Sequence, residues 1–356
     1  MRPSAGPDVA YGDADCDTNC DANTVGRRPL HTGTGTMING ELIDLVAGDY
    51  EARIASSGAM LVHLRRQGRD LIMPFDAEAE LPAGWQGKTL LPWANRIAGA
   101  RYDYFGTELL VACNEPATGS ALHGLAGWMD WQVADDDPSG PDDGAPRSQV
   151  VLELSLLASY GYPWSLEAST RFRLDAEQGL SVTVTATNAG AARPAPPVPG
   201  APQADDELVP APYGVSCHPY LTRSVPLDDC VLTIPAAEVL DVDEHMVPTC
   251  RRSVEGTDWD WRGGRLVGAT RTDNAYTSLP EGAWQVSLRG GQGNRAVVMS
   301  SDTPWVQAYT ADELGRPGVA VEPMTCPPNA FNSGEDLIAL EVGQSHSFTY
   351  RLREED

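Results

Sequence analysis

Alternation with a period of two residues most constrains what this chain can fold into. Leu180, Val182, Val184 and Ala186 are separated by Ser181, Thr183, Thr185 and Thr187, and Leu166, Ala168, Thr170, Phe172 and Leu174 alternate likewise with Glu167, Ser169, Arg171 and Arg173. Successive side chains on a strand point to opposite faces, so each run buries one face and wets the other. The same pattern predicts strands over residues 150–157, 284–288 and 297–300, and through His346, Phe348, Tyr350 and Leu352. Residues 102–110, interrupted by Phe105-Gly106, read as a hairpin with a glycine turn. Helical spacing is scarce. Many short strands parted by Gly, Pro and Asp clusters, without helices between them, predict an all-β fold: a large antiparallel sandwich.

Residues 1–36 contain hardly any bulky apolar side chain and cannot bury enough surface to offset the entropy of ordering, so they read as a disordered tail. Residues 37–356 then form a single β-sandwich domain, with surface insertions expected near 135–147 and 190–212, where composition turns to Asp, Gly, Ala and Pro. The 25 Lys+Arg against 50 Asp+Glu give a net charge of -25, a field that repels a phosphate backbone. Nucleic acid is therefore excluded as a partner. No apolar run reaches the ~18 residues of a membrane helix and the first segment lacks a secretory signal pattern, so the expectation is a soluble, cytoplasmic chain without a membrane partner. Of the seven cysteines only Cys16 and Cys20 are close, and no second pair completes a zinc site.

Phosphate-binding glycine loops, Gly-x-Ser-x-Gly elbows and His-Glu-x-x-His pairs are all missing. Two other contexts stand out. His218 in Ser216-Cys217-His218-Pro219 and Glu322 in Ala320-Val321-Glu322-Pro323 each end an apolar run just before a proline. A residue preceding proline is pushed toward extended backbone and proline cannot donate to a ladder, which predicts both side chains at strand ends. Singly, each is compatible with a structural role as well as with catalysis. His123 precedes Gly124 in the same ambiguous way. Arg96, amid Trp93-Ala94-Asn95 and Ile97, needs a carboxylate or hydroxyl partner if its charge is buried. Trp93, Trp128, Trp131 and Trp164 either stack on sugar rings or fill the core, and core filling is the expectation for any one of them.

Five blocks in order carry a resemblance: Leu91-Pro92-Trp93-Ala94-Asn95-Arg96-Ile97-Ala98-Gly99-Ala100-Arg101-Tyr102, Leu122-His123-Gly124, Cys217-His218-Pro219-Tyr220-Leu221, Thr272-Asp273-Asn274-Ala275-Tyr276 and Glu322-Pro323-Met324-Thr325. Together, over residues 37–353, they resemble the aldose 1-epimerase (galactose mutarotase) family. Leu221-Thr222 and Pro323-Met324 depart from the asparagine and glutamine of the better-studied galactose mutarotases, which points to the broader aldose 1-epimerase-like branch rather than to galactose preference. The resemblance implies a β-supersandwich with an open sugar cleft. It further implies Glu322 as general base, His218 as general acid, and Arg96, His123 and Asp273, with Asn95 and Tyr220, as the residues that bind a monosaccharide.

Interconverting two anomers requires removal of the C1 hydroxyl proton, protonation of the ring oxygen, opening, rotation and reclosure. An acid and a base suffice, and neither cofactor nor metal is expected. The two groups are expected on opposite sides of a gap one pyranose wide, with the Glu322 carboxylate helping His218 to stay protonated. Two alternatives share the scaffold: a hexose-6-phosphate 1-epimerase with Arg96 or Arg101 near the phosphate, and a noncatalytic carbohydrate-binding protein. Oligomeric state is left open by the sequence.

Overall fold

The computed structural model describes residues 38–134, 147–191 and 209–356. The expected tail, with Cys16 and Cys20, and most of the two expected insertions lie outside the described residues. The flanks of the longer insertion are sheet: the strand Gly179–Ala191 runs through residues 190 and 191, and Ala211–Tyr213 pairs with Ile338–Leu340.

The strands predicted from alternation come together in one place. Gln149–Leu156, Trp164–Asp175, Gly179–Ala191, Ser345–Glu355, Ala296–Ser301 and Trp284–Arg289 are consecutive neighbours in a nine-stranded antiparallel sheet. Burial alternates along five of them as the sequence demands, Leu180, Val182, Val184 and Ala186 facing inward while hydroxyl pairs such as Thr183 with Thr349 and Thr185 with Ser347 line the outer face; Ala296–Ser301 is instead buried at all six positions. The C-terminal strand is inserted between two strands far from it in sequence, and so closes the middle of this sheet. The hairpin forms as predicted: Arg101–Tyr104 pairs with Thr107–Leu110, and Phe105 and Gly106 turn with φ of 50° and 77°.

A second, eight-stranded sheet includes Glu238–Val242, Asp273–Thr277, Trp305–Tyr309, Val319–Met324, Ser216–Cys217 and Tyr220–Leu221. Here the alternation vanishes. Val319–Met324 is buried at all six positions, because both faces are covered at this central strand, whereas the edge strand Pro248–Ser253 is largely exposed. On one face Val306, Ala308, Val319 and Val321 join Val182, Val184, Phe348 and Tyr350 of the nine-stranded sheet in one apolar cluster, the core of a sheet-on-sheet sandwich. Ala320, Glu322 and Met324, with Gln307 and Ala275 on neighbouring strands, therefore point the other way. A four-stranded N-terminal sheet runs from Leu42–Ala47 through Tyr50–Ala55 and Met60–Arg66 to Arg69–Asp70. No helix among the described residues is long and apolar enough to cross a membrane.

Candidate active site

The face of the eight-stranded sheet turned away from the sandwich core gathers the chemistry. Glu322 and Gln307 are direct partners in the pairing of Val319–Met324 with Trp305–Tyr309, so their side chains emerge together on one face. Asp273 lies one strand further, its carboxylate accepting a 2.6 Å hydrogen bond from Gln307 Nε2. On the opposite edge of Val319–Met324, Ser216–Cys217 and Tyr220–Leu221 pair with the same strand, and His218-Pro219 is the break between them. Pro219 ends one short strand and leaves the imidazole standing out, held by bonds from the His218 amide to the Lys88 carbonyl and from the Gly87 amide to the His218 carbonyl. His218 is thus a strand-end residue as expected. Glu322 is not: its strand continues through Pro323 to Met324, and the pairings of Ser216 with Met324 and Tyr220 with Ala320 put Glu322 itself opposite His218 at the break.

The break brings His218 Nε2 within 3.3 Å of Glu322 Oε1, both side chains being almost fully buried. That corrects the expectation of a gap one pyranose wide. The two oxygens that exchange protons in an anomer interconversion share a single carbon, so a base and an acid standing side by side can reach both. Burial pushes the Glu322 carboxyl well above its ordinary value, assisted by the negative Asp273 and opposed by Arg96. Burial pulls the His218 imidazole down to about 3. Desolvation therefore outweighs the help expected from a neighbouring carboxylate: it favours the protonated carboxyl on Glu322 and the neutral imidazole on His218.

The ring of His123 packs edge-on to His218 with centroids 5.2 Å apart, and burial first, then His218 and Arg96, push His123 well below the ordinary value. Its backbone is left-handed, φ 63°, as is that of Asn95 at 52°, and the His123 amide donates to the Asn95 carbonyl. Gly124 follows with φ 71° and approaches Leu91 so closely that a Cβ would lie 2.2 Å from the Leu91 carbonyl oxygen; only glycine closes this turn. His123, His218 and Glu322 bring one ligand atom each to within 4.8 Å of one another, so the trio could also hold a metal ion.

Arg96 obtains the carboxylate its burial required, from Glu115: Nε and Nη2 donate to the two carboxylate oxygens at 2.7 and 2.8 Å. Its Nη2 also lies 3.9 Å from Asp273, which is one-third exposed. Burial raises the Asp273 carboxyl, with Arg96 and Gln307 pulling against it. Asn95 is buried and its side-chain oxygen accepts from Arg96 Nη1 at 3.4 Å. Tyr220, two residues beyond His218 on the same side of the strand, stacks on the imidazole at 5.1 Å and 21°, while its hydroxyl donates to the Gly84 carbonyl at 2.7 Å. That hydroxyl is committed to the protein, and the ring is a support for His218.

Among the described residues, four buried side-chain atoms here lack a hydrogen-bond partner: His123 Nδ1, His218 Nδ1, Glu322 Oε2 and Gln307 Oε1. A buried polar atom without a protein partner is completed by water, an ion or a ligand, or serves in catalysis. Sequence reasoning missed Gln307, Glu115 and Trp85, whose indole packs edge-on against His123 at 5.1 Å. Gln307 alone left a signal, as a lone amide within the apolar run Trp305-Val306-Gln307-Ala308. Of the four tryptophans considered, Trp93, Trp131 and Trp164 fill the core; Trp128 is 49% exposed.

The sequence matches the family model described as Aldose 1-epimerase over residues 41–199 and 203–353. It is 37% identical over 320 residues to the uncharacterized protein YihR of Escherichia coli K12, spanning 90% of this chain and 95% of that one. It is 27% identical over 265 residues to the aldose 1-epimerase of the same strain, 68% of each. The crystal structure of the GalM/aldose epimerase homologue from C. elegans shares the fold, with a TM-score of 0.73 at 18% identity, covering 88% of this chain and 98% of that one.

Proposed function

The chain belongs to the aldose 1-epimerase family, and from that premise we propose that it interconverts the α and β anomers of a free aldohexose, with Glu322 as base and His218 as acid. The observation that carries this reading is the 3.3 Å contact between Glu322 and His218, two buried titratable groups side by side, beside further polar atoms lacking partners. When the imidazole carries a proton and Glu322 does not, the carboxylate takes the proton of the C1 hydroxyl. The electrons of that O–H bond form the C1 carbonyl, the bond from C1 to the ring oxygen breaks, and the ring oxygen takes the proton from His218. Rotation about C1–C2 presents the other carbonyl face, and reclosure runs the same transfers backward. Each half-reaction leaves one proton on the pair, so no outside acid or base is needed. Arg96, which favours the carboxylate form of Glu322, biases the pair toward this arrangement.

Arg96, His123, Asp273 and Gln307 are assigned to the sugar hydroxyls, with Asn95 and Tyr220 holding Arg96 and His218 in place. The hexose-6-phosphate alternative finds little support, since Arg96 is already clamped by Glu115 and faces Asp273. A noncatalytic binder would gain nothing from an acid–base pair at its centre. Polarimetric mutarotation of freshly dissolved galactose, glucose, xylose and arabinose tests the proposal; anomer exchange at the buffer rate with every sugar would overturn it.

A further inference from the structure

Trp128 is the exposed tryptophan that the site chemistry leaves unused. It ends the short 3-10 turn Ala126–Trp128, which follows His123-Gly124 directly. Its indole is held from two sides. Lys88, fully buried, has its Nζ 4.1 Å from the ring centroid and donates to the Ser57 carbonyl at 3.1 Å, so the ring's inner face is covered by a fixed amine, whose pKa burial pulls down to about 7. Trp85 packs beside it with centroids 5.4 Å apart. Gly127 lets the two approach, since a Cβ there would lie 3.0 Å from the Trp85 ring. Trp85 itself has φ 62°, a conformation costly for a bulky residue, and its ring continues the row to His123. An aromatic row thus runs from the Glu322–His218 pair through His123 and Trp85 to an outward-facing indole.

Resting on the epimerase reading of the pair, we propose that Trp85 and Trp128 form a second sugar subsite, and that the preferred substrate is the reducing end of an oligosaccharide whose next pyranose stacks on Trp128. Pyranose rings present apolar C–H faces to aromatic rings, and a pinned indole loses no rotamer freedom on binding them. The row extends one further ring beyond Trp85, so a single aldose seated at the catalytic pair does not cover Trp128, whereas a glycosidically linked unit does. Lys88 lies beneath the indole, away from solvent.

Isothermal titration of maltose, cellobiose, lactose, galactose and glucose tests the subsite without requiring turnover. At least one disaccharide should bind wild type about tenfold tighter than the monosaccharide of its reducing end. Trp128→Ala should erase that difference while leaving glucose affinity within twofold, and Trp128→Phe should retain most of it. Equal affinities for mono- and disaccharides in wild type, or an equal loss for both in Trp128→Ala, would overturn the subsite. Polarimetry on the same sugars separates this from the catalytic reading: glucose turnover without a disaccharide advantage ends the subsite alone, whereas a disaccharide advantage without any mutarotation supports the subsite and ends the epimerase.

Discussion

Replacing Glu322 by Gln removes the basic oxygen from the acid–base pair while preserving shape. The amide keeps an acceptor facing His218 Nε2 at the 3.3 Å seen for the carboxylate, and the strand pairing with Gln307 is untouched. What is lost is proton transfer from the C1 hydroxyl. A positioned base contributes ~100 to 10,000-fold, about 3 to 5 kcal/mol of barrier. Turnover in the polarimetric assay should fall by that factor, with KM changed by less than about threefold, since an amide still bonds to sugar hydroxyls. The fold should not suffer. A carboxyl raised by burial binds its proton more tightly when folded, so its contribution to stability is full below the ordinary value near 4.5 and is lost as pH rises through the folded value. Glu322→Gln abolishes that loss, and its melting temperature at pH 8 should equal or exceed that of wild type. Glu322→Asp, drawn back by one methylene, should fall between, since a misplacement of about 1 Å can cost ~100-fold. Turnover of Glu322→Gln within tenfold of wild type would refute the assignment, and so would a loss accompanied by a fall of several degrees in melting temperature, which would make Glu322 structural.

Tyr220→Phe should lower stability by about 1 kcal/mol, read from urea midpoints, through loss of the bond to Gly84, and leave kcat within threefold; a hundredfold loss would mean the hydroxyl reaches the reacting atoms. Arg96→Lys cannot reproduce the two-pronged grip on Glu115, and kcat/KM should drop ~10 to 100-fold, mainly through KM; an unchanged KM would remove Arg96 from sugar binding. His218, held down to about 3, and His63, held to about 4 by burial, are neutral in the fold at pH values where free imidazole is charged. Each contributes stability that is present above about 6.5 and is lost as pH falls through its folded value, at up to about 1.4 kcal/mol per pH unit. Urea midpoints measured from pH 7 to pH 3 should decline accordingly, and His218→Asn should flatten part of that slope; an unaltered slope would mean that His218 titrates normally.

Several parts of the site were legible because a local rule exposed them. His218-Pro219 reads as a strand break and is one, since proline acts on its own neighbours whatever lies around it. Arg96 was assigned a need for a carboxylate or hydroxyl partner, and the structure supplies the carboxylate of Glu115, on a loop without any distinguishing pattern. Gln307 was readable only as an oddity in an apolar strand, and Trp85 not at all, because each acquires meaning from a neighbour more than 30 residues away in sequence.

Most of the nine-stranded sheet was determined by the sequence itself: along five of its strands one face meets water and the other the core, and that asymmetry writes itself into the chain as alternation, whereas Ala296–Ser301 is buried on both. The central strand Val319–Met324 of the eight-stranded sheet, covered on both faces, carries no such record, and the sheet's strand order and the direction in which Glu322 points were decided by tertiary packing. So was the direction in which the pair's proton affinities move. Residue type alone makes glutamate an anion near neutrality, but burying both side by side pushes the carboxyl toward its protonated form and the imidazole toward its neutral one, because the loss of water outweighs the attraction that their charges would have gained.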